Sequence, residues 1–136
     1  MLVQFSFKNF KAFKEEVLLD FLPASINEHK NTLLKDPSDG ERILPLIGIY
    51  GPNGCGKSTV LNALSCLSSL VTASVTVPTR IRDVHCMLSS ECRDIPTQFD
   101  VLFRSQGFLF RYQLQFLKGA IVEENLFYGS LGGSDT

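Results

Sequence analysis

The chain has 136 residues, of which 44% are hydrophobic and 20% are charged, and its formal net charge is −1. This balance predicts one globular domain with its own core, and it excludes the overall basic charge typical of nucleic-acid binders. Residues 60–79 form a long uncharged run, but they contain too many Ser, Thr, Asn and Pro residues for a membrane span. Four cysteines without an N-terminal signal sequence are typical of reduced thiols, so we expect a cytoplasmic protein that does not engage a membrane.

The N-terminal 42 residues divide into a β-hairpin and a loop. Residues 1–22 are predicted to form an antiparallel hairpin, because apolar residues alternate with polar ones on both sides of a turn at residues 9–12. Residues 23–42 are polar and rich in turn formers, which predicts a long loop.

Residues 43–75 are predicted to contain a strand, a glycine-rich loop and a helix. The nearly continuous apolar run at 43–50 favours a strand buried on both faces of a parallel or mixed sheet. Helical spacing follows the loop, and residues 74–78 should end the helix. The apolar residues with this spacing are Val60, Leu61, Leu64, Leu67 and Val71.

The remaining residues are predicted to be mostly β-structure. Residues 79–95 indicate a loop with a short helix near 82–88, and residues 97–128 indicate a three-stranded antiparallel meander. A flexible tail is expected at 129–136. The period-two spacing of one aromatic and apolar set indicates a sheet core rather than a base-stacking surface. That set is Phe108, Phe110, Tyr112, Leu114 and Phe116.

The glycine-rich loop at residues 51–58, Gly-Pro-Asn-Gly-Cys-Gly-Lys-Ser, matches the phosphate-loop pattern at every fixed position. Glycine lets the backbone direct successive N–H groups at phosphate oxygens, and the start of a helix adds partial positive charge. Lys57 is the predicted catalytic residue at the β- and γ-phosphates, and Ser58 is the predicted Mg²⁺ ligand. The predicted nucleotide-binding residues of this segment are Gly51, Pro52, Asn53, Gly54, Cys55, Gly56, Lys57, Ser58 and Thr59. The alternative is a glycine-rich turn that only joins a strand to a helix.

Cys55 lies inside this loop, close to the predicted start of the helix. A thiol near a helix N-terminus can have a lowered pKa, so oxidation or alkylation of Cys55 could block nucleotide binding. The alternative interpretation is a small residue that is tolerated at a variable position.

Three segments resemble known ATPases. Residues 3–13 resemble the start of ABC-type ATPases of the SMC/RecF/OLD branch, and residues 49–54 are similar to their approach to the phosphate loop. Residues 96–124 resemble AAA-type ATP-binding proteins of bacterial defence and abortive-infection operons. The resemblance implies an α/β phosphate-loop NTPase lobe with a mixed sheet and an antiparallel β-subdomain. It also implies ATP and Mg²⁺ as cofactors, and it places residues 9–13 beside the adenine and phosphates, with Asn9 and Lys11 as nucleotide-binding residues and Lys11 at a phosphate. The alternative is that residues 9–12 form only a hairpin turn.

The sequence also departs from the pattern of these families. No apolar strand after the loop ends in an Asp-Glu pair, and Glu123-Glu124 follows only a short apolar run. Residues 130–133 match the Ser-Gly signature poorly, and neither His29 nor His85 lies in a context typical of a switch histidine. We therefore expect an incomplete ATPase lobe, either truncated or one piece of a split protein. Self-association or a second ATPase lobe would supply the missing parts, and DNA or a nuclease or toxin partner is suggested by analogy alone.

Two other functions remain open. One is a nucleotide-dependent dimerisation module without significant hydrolysis. The other is a GTP-binding switch, against which the absence of an Asn-Lys-x-Asp motif counts. Gln98 could sense the γ-phosphate, but its neighbours favour the start of a strand. Zinc binding by His85, Cys86 and Cys92 is disfavoured by their spacing. A basic patch of Arg80, Arg82 and Arg93 is disfavoured because acidic residues alternate with them.

Overall fold

The structure is a computed structural model that describes residues 1–25, 28–73 and 84–131. Its helix, α1, spans Lys57–Ala73, and short 3-10 turns lie at Lys30–Thr32 and Ser90–Asp94. The strands are β1 Leu2–Lys8, β2 Val17–Asp20, β3 Leu34–Lys35, β4 Arg42–Ile43, β5 Thr97–Ser105, β6 Phe108–Leu117 and β7 Ala120–Ser130. No helix in the described part of the chain has both the length and the apolar character needed to span a membrane.

Five strands form the main sheet in the order β2-β1-β5-β6-β7, and β3 and β4 form a separate pair. Every pairing between these strands is antiparallel. The fold is therefore α/β, but within the described residues the predicted mixed sheet is wrong. A mixed sheet would need a parallel neighbour for the apolar run at 43–50, and the described strands provide none.

Tight turns connect the last three strands. Gln106 and Gly107 have φ values of 49° and 79°, and Lys118 and Gly119 have φ values of 49° and 83°. Two successive positive φ values define type I′ turns, whose twist matches that of the strands they join. Glycine at the second turn position adopts this conformation without the steric cost of a Cβ atom. The turns thus fix the register of β5, β6 and β7.

Helix α1 packs on one face of the sheet and closes the core. Phe5, Phe7 and Phe99 from the sheet lie against Val60, Ala63 and Leu67 from the helix. Leu61 and Val71, which were predicted to share the apolar face of the helix, are exposed. The buried stripe is therefore rotated from the predicted one, because Ala63 rather than Leu61 faces the aromatic rings. The predicted end of the helix at 74–78 lies outside the described residues.

The apolar run at residues 43–50 is not a buried strand. Only Ile43 belongs to β4, and residues 44–50 have no regular secondary structure. The side chains of Leu46 and Tyr50 are 79% and 93% exposed. A strand that is buried on both faces needs hydrogen-bonding neighbours at both edges. No described strand pairs with residues 44–50, and most of them are exposed, whereas Leu44 and Ile47 are half-buried.

The segment predicted as a loop at residues 23–42 contains β3 and the start of β4, and an ionic cluster attaches it to the sheet. The Arg104 guanidinium, on β5, donates hydrogen bonds to Asp36 and Asp39. Arg104 is only 8% exposed and Asp36 only 5%. A buried charge needs partners of this kind, because isolation from water would otherwise disfavour its ionised form. The cluster therefore holds the β3–β4 hairpin against β5.

The structure describes only part of the loop predicted at 79–95. Arg80, Arg82 and most of the predicted 82–88 helix fall in the undescribed residues 74–83. The described remainder has a turn at 87–88 and then the 3-10 turn Ser90–Asp94. At the other end, β7 continues to Ser130, beyond the predicted strand end, and residues 132–136 of the predicted tail lie outside the description.

Candidate functional site

The glycine-rich loop at residues 51–58 leads directly into α1. Gly54 and Gly56 have φ values of 81° and 94°, which glycine adopts far more readily than other residues. The amide groups of Thr59 and Val60 donate to the Gly56 carbonyl oxygen at 3.0 and 3.3 Å, which forms the first turn of the helix. The loop is exposed from Gly51 to Cys55 and half-buried at Gly56 and Lys57. An anion in solvent can therefore reach the loop.

The Lys57 side chain turns back over the loop that precedes it. Its Nζ atom donates to the Gly51 carbonyl oxygen at 2.5 Å and to the Pro52 carbonyl oxygen at 2.6 Å. It also lies 3.8 Å from the Cys55 sulfur. The ammonium group is thus held by weakly charged acceptors inside the loop. Phosphate oxygens carry more negative charge and would be stronger acceptors for the same donor.

Close packing leaves the loop little room for larger residues. A Cβ atom added to Gly51 would lie 2.7 Å from the Cys55 sulfur. Added to Gly56, it would lie 2.7 Å from Cζ of Phe13. Both distances are too short for a real contact, so space constrains both positions, and at Gly56 the positive φ adds a conformational constraint.

The loop also provides groups that suit a bound divalent cation. Ser58 is exposed in the first turn of α1, where its hydroxyl can face a ligand on the loop. Mg²⁺ typically takes one or two protein oxygens and fills its other positions with water and phosphate oxygens. No cluster of three metal-ligating side chains exists within the described ranges. A single exposed hydroxyl fits a metal whose other ligands are water and phosphate oxygens.

Asn9 has a structural role in this fold. Its Nδ2 group donates to the carbonyl oxygens of Cys92 and Ile95, both at 2.8 Å, and its Oδ1 atom accepts from the Cys86 amide at 2.9 Å. Its own carbonyl oxygen accepts from the Thr97 hydroxyl at 2.7 Å. Asn9 is 2% exposed, so these bonds use most of its polar groups. Its predicted contact with a nucleotide stays a prediction.

Lys11 lies in the tight turn that follows Asn9. Its amide donates to the Val84 carbonyl oxygen at 2.8 Å, and its Nζ atom lies 5.5 Å from the centre of the Phe10 ring. Lys11 also lowers the pKa of the Cys66 thiol, although burial has the larger effect and raises that pKa overall. The backbone bond therefore holds Lys11 against residue 84, outside the sheet. Its predicted contact with a phosphate stays a prediction.

Other candidates lie in ordinary structural positions. Gln98 is half-buried on β5 and pairs in register with Gln115 of β6. Glu123 accepts hydrogen bonds from Gln115 and Asn125 on the surface of the sheet. Cys86 and Cys92 are buried free thiols, and burial raises the pKa of Cys92. None of these residues is joined to the glycine-rich loop by a contact within the described chain.

The sequence analysis missed the contact of Phe13 with the loop and the role of Arg104. The resemblance places Phe13 beside the nucleotide, but it does not predict that the Phe13 ring touches the loop glycine at position 56. Arg104 has no local pattern, because its acidic partners Asp36 and Asp39 lie 68 and 65 residues earlier in the chain. The spacing in Asn-Phe-Lys-Ala-Phe was the one available signal for Phe13.

The described fold is α/β with an antiparallel sheet, and two family matches suggest a phosphate-loop NTPase fold for the chain. The family described as "AAA domain" matches residues 4–71, half of the chain, and the family described as "AAA domain, putative AbiEii toxin, Type IV TA system" matches residues 46–131. The chain belongs to the AAA-domain family, a group of nucleotide-binding, ATPase-like proteins. Both matches include residues 46–71, which contain the glycine-rich loop and most of α1. No curated protein matches the chain.

Proposed function

We propose that the chain binds Mg·ATP through residues 51–59 and takes part in ATP hydrolysis when missing catalytic groups are supplied. The observation that carries the proposal is the position of Lys57. Its ammonium group is held over an exposed loop by two carbonyl oxygens, at the N-terminal end of α1. A triphosphate would replace those carbonyls as the acceptor and would also receive the amide groups of the first helical turn.

The chain's own groups have distinct parts in this proposal. Lys57 and the loop amides stabilise the negative charge that grows on the γ-phosphate during attack by water. Ser58 would hold Mg²⁺ through its hydroxyl, and the metal would supply positive charge that stabilises the phosphates. Gly54 and Gly56 keep the backbone in the shape that presents the amides.

We further propose that a second lobe or a second copy supplies the group that positions the attacking water. No residue within the described ranges combines an acidic side chain with a contact to the loop, so turnover by this chain alone is expected to be very slow. The role proposed is cytoplasmic and defence-related, and the description of the second matching family supports the defence part. DNA or an effector as partner rests on the sequence resemblance alone.

The test is titration of a fluorescent ATP analogue in the presence of Mg²⁺, followed by phosphate release in the same sample. Lys57→Ala removes the proposed contact. Lys118→Ala is the matched control. Lys118 is an exposed lysine in the turn after β6, and it pairs with Asp94. We expect binding that is lost in Lys57→Ala, kept in Lys118→Ala, and displaced by ATP better than by GTP. Equal affinities for the wild-type protein, Lys57→Ala and Lys118→Ala would contradict the proposal. Better displacement by GTP than by ATP would favour the GTP-binding switch.

A nucleotide-dependent dimerisation module is the second candidate, and the apolar segment before the loop favours it. Residues 44–50 expose Leu46, Ile49 and Tyr50 directly before Gly51. Exposed apolar surface of this kind is typical of an interaction site. Light scattering with ATP and with a non-hydrolysable analogue distinguishes the two functions. Equal dimerisation with both nucleotides and no phosphate release would support the module.

A further inference from the structure

We propose that Phe13 is a positioning residue that holds the glycine-rich loop in its nucleotide-binding shape. The Phe13 ring fills the space beside Gly56, where an added Cβ atom would lie 2.7 Å from Cζ and 2.9 Å from Cε2 of the ring. Gly56 is also the residue with a φ of 94° immediately before α1. The ring therefore packs against the loop at the point where the loop leads into α1.

The Phe13 ring is itself fixed to the core. The amide of Phe10 donates to the Phe13 carbonyl oxygen, and the amide of Phe13 donates to the Phe10 carbonyl oxygen, both at 2.9 Å. The ring also packs edge-to-face on Phe7, with ring centres 5.7 Å apart and planes at 73°. Phe7 is almost fully buried under α1. Both the backbone and the ring of Phe13 are held in this way. The ring is therefore fixed to the sheet and is not part of a free loop.

The turn that carries Phe13 is held from its other side by residues 84–97. Asn9 is bonded to Cys86, Cys92 and Ile95 through its side chain. Lys11 donates to Val84 and accepts from the Met87 amide at 3.4 Å. The turn therefore cannot shift away from Gly56 without breaking buried hydrogen bonds.

The expected consequence for binding rests on the proposed function. Gly54 and Gly56 have large conformational freedom, and fixing that freedom on binding lowers affinity. If the Phe13 ring already restricts the unbound loop, less conformational entropy is lost when the nucleotide binds. We expect Phe13→Ala to weaken binding of the fluorescent ATP analogue about 10-fold, which corresponds to about 1.4 kcal/mol. Phe13→Leu should recover part of the affinity, because Leu still fills some of the space beside Gly56.

Two readouts test the proposal in the full chain. The first needs no nucleotide. A ring beside Gly56 shifts the proton resonances of that residue, so they should move in Phe13→Leu and Phe13→Ala but not in Phe110→Ala. Phe110 is the matched control, because it is a half-buried aromatic residue stacked on Phe103. The second readout is the affinity for the fluorescent ATP analogue with Mg²⁺, measured beside the thermal unfolding midpoint of each variant.

The outcomes separate this inference from the proposed function. Unchanged Gly56 resonances in both Phe13 variants, or wild-type affinity in a folded Phe13→Ala protein, would overturn the inference. An equal affinity loss in Phe110→Ala at an equal drop in unfolding midpoint would also overturn it, because the effect would then be general destabilisation. If wild-type protein binds no nucleotide, the proposed function fails and the resonances alone decide whether Phe13 holds the loop.

A double-mutant cycle gives an independent check. Gly56→Ala should clash with the Phe13 ring, and Phe13→Ala should relieve that clash while the backbone strain at position 56 remains. The two changes should therefore be strongly non-additive in unfolding free energy. Simple additivity would show that the residues do not act on each other.

Discussion

Arg104 forms a bidentate ion pair with Asp39. Its two terminal nitrogens lie 2.8 and 2.5 Å from the two carboxylate oxygens. Asp36 adds a third contact at 3.2 Å. The hydrogen bond from Arg104 is the main cause of the lowered pKa of Asp39, and the Ser38 amide is the main cause of the lowered pKa of Asp36. The hairpin formed by β3 and β4 therefore depends on ionised carboxylates.

The first prediction follows from these two lowered pKa values. Because both lie below the unfolded value of about 3.9, the cluster contributes its full stability above that pH and loses it as the pH falls through the folded pKa values. We expect Asp39→Asn to lower stability at pH 7 and to flatten the loss of stability in acid. Urea unfolding at a series of pH values measures both effects. Asp94→Asn is the control, because Asp94 pairs with Lys118 at an exposed site, and an equal effect there would contradict the prediction.

The second prediction concerns Asn9, whose side chain joins the first turn to residues 86–95. Asn9→Ala leaves buried backbone groups without partners and should lower the free energy of unfolding by about 2 kcal/mol or more. Asn9→Gly tests the cause, because glycine tolerates the φ of 54° at this position. If Asn9→Gly remains destabilised, the hydrogen bonds matter and backbone strain does not explain the loss. Asn125→Ala, which removes a bond to the exposed Glu123, should change stability by less than about 0.5 kcal/mol.

The third prediction concerns the turn between β5 and β6. Gly107 has a φ of 79°, so Gly107→Ala should cost about 1–2 kcal/mol through backbone strain. Gly129 lies on β7 without a positive φ and with open space around its missing side chain. Gly129→Ala should therefore be neutral or slightly stabilising. Thermal unfolding of the two variants in parallel checks the difference, and equal midpoints would show that the turn is not type I′.

The fourth prediction concerns the apolar run before the glycine-rich loop. Ile43 is 1% exposed, whereas Leu46 is 79% exposed. Ile43→Ala should destabilise the chain by about 2–5 kcal/mol, and Leu46→Ala should change its stability by less than about 0.5 kcal/mol. Chemical denaturation of both variants measures the contrast. A large loss in Leu46→Ala would mean that this residue is buried in solution, as the sequence pattern predicts.

Sequence patterns predict well those parts of the fold that depend on contacts between segments close together in the chain. The alternation at Val3, Phe5 and Phe7 matches β1, and the Gln-Gly and Lys-Gly pairs match two turns. The run at residues 43–50 shows the limit of such patterns. Its composition indicates a segment that should be buried, but burial also needs neighbouring strands, and composition does not say whether they are present.

The candidate site likewise has parts that the sequence predicts and parts that it does not. The loop at 51–58 could be found from sequence, because its glycines, Lys57 and Ser58 follow one another in a fixed pattern. The role of Phe13 could not, since its contact with Gly56 depends on how the N-terminal turn meets α1 in space. Asn9 was noticed for a position beside the nucleotide, whereas the described hydrogen bonds of its side chain and carbonyl oxygen are with residues 86–97, and its amide donates to Lys14.

The pairing of β1 with β5 has a consequence for the order in which the chain folds. Strands β5 to β7 meet through short local turns and can form within microseconds, whereas Asn9 reaches Cys92 only across 83 residues. Closing that long span brings Phe7 and Phe13 to α1, and the glycine-rich loop lies inside the span. The loop therefore acquires its final surroundings late in folding, so recovery of nucleotide affinity during refolding would lag behind recovery of β-sheet signal.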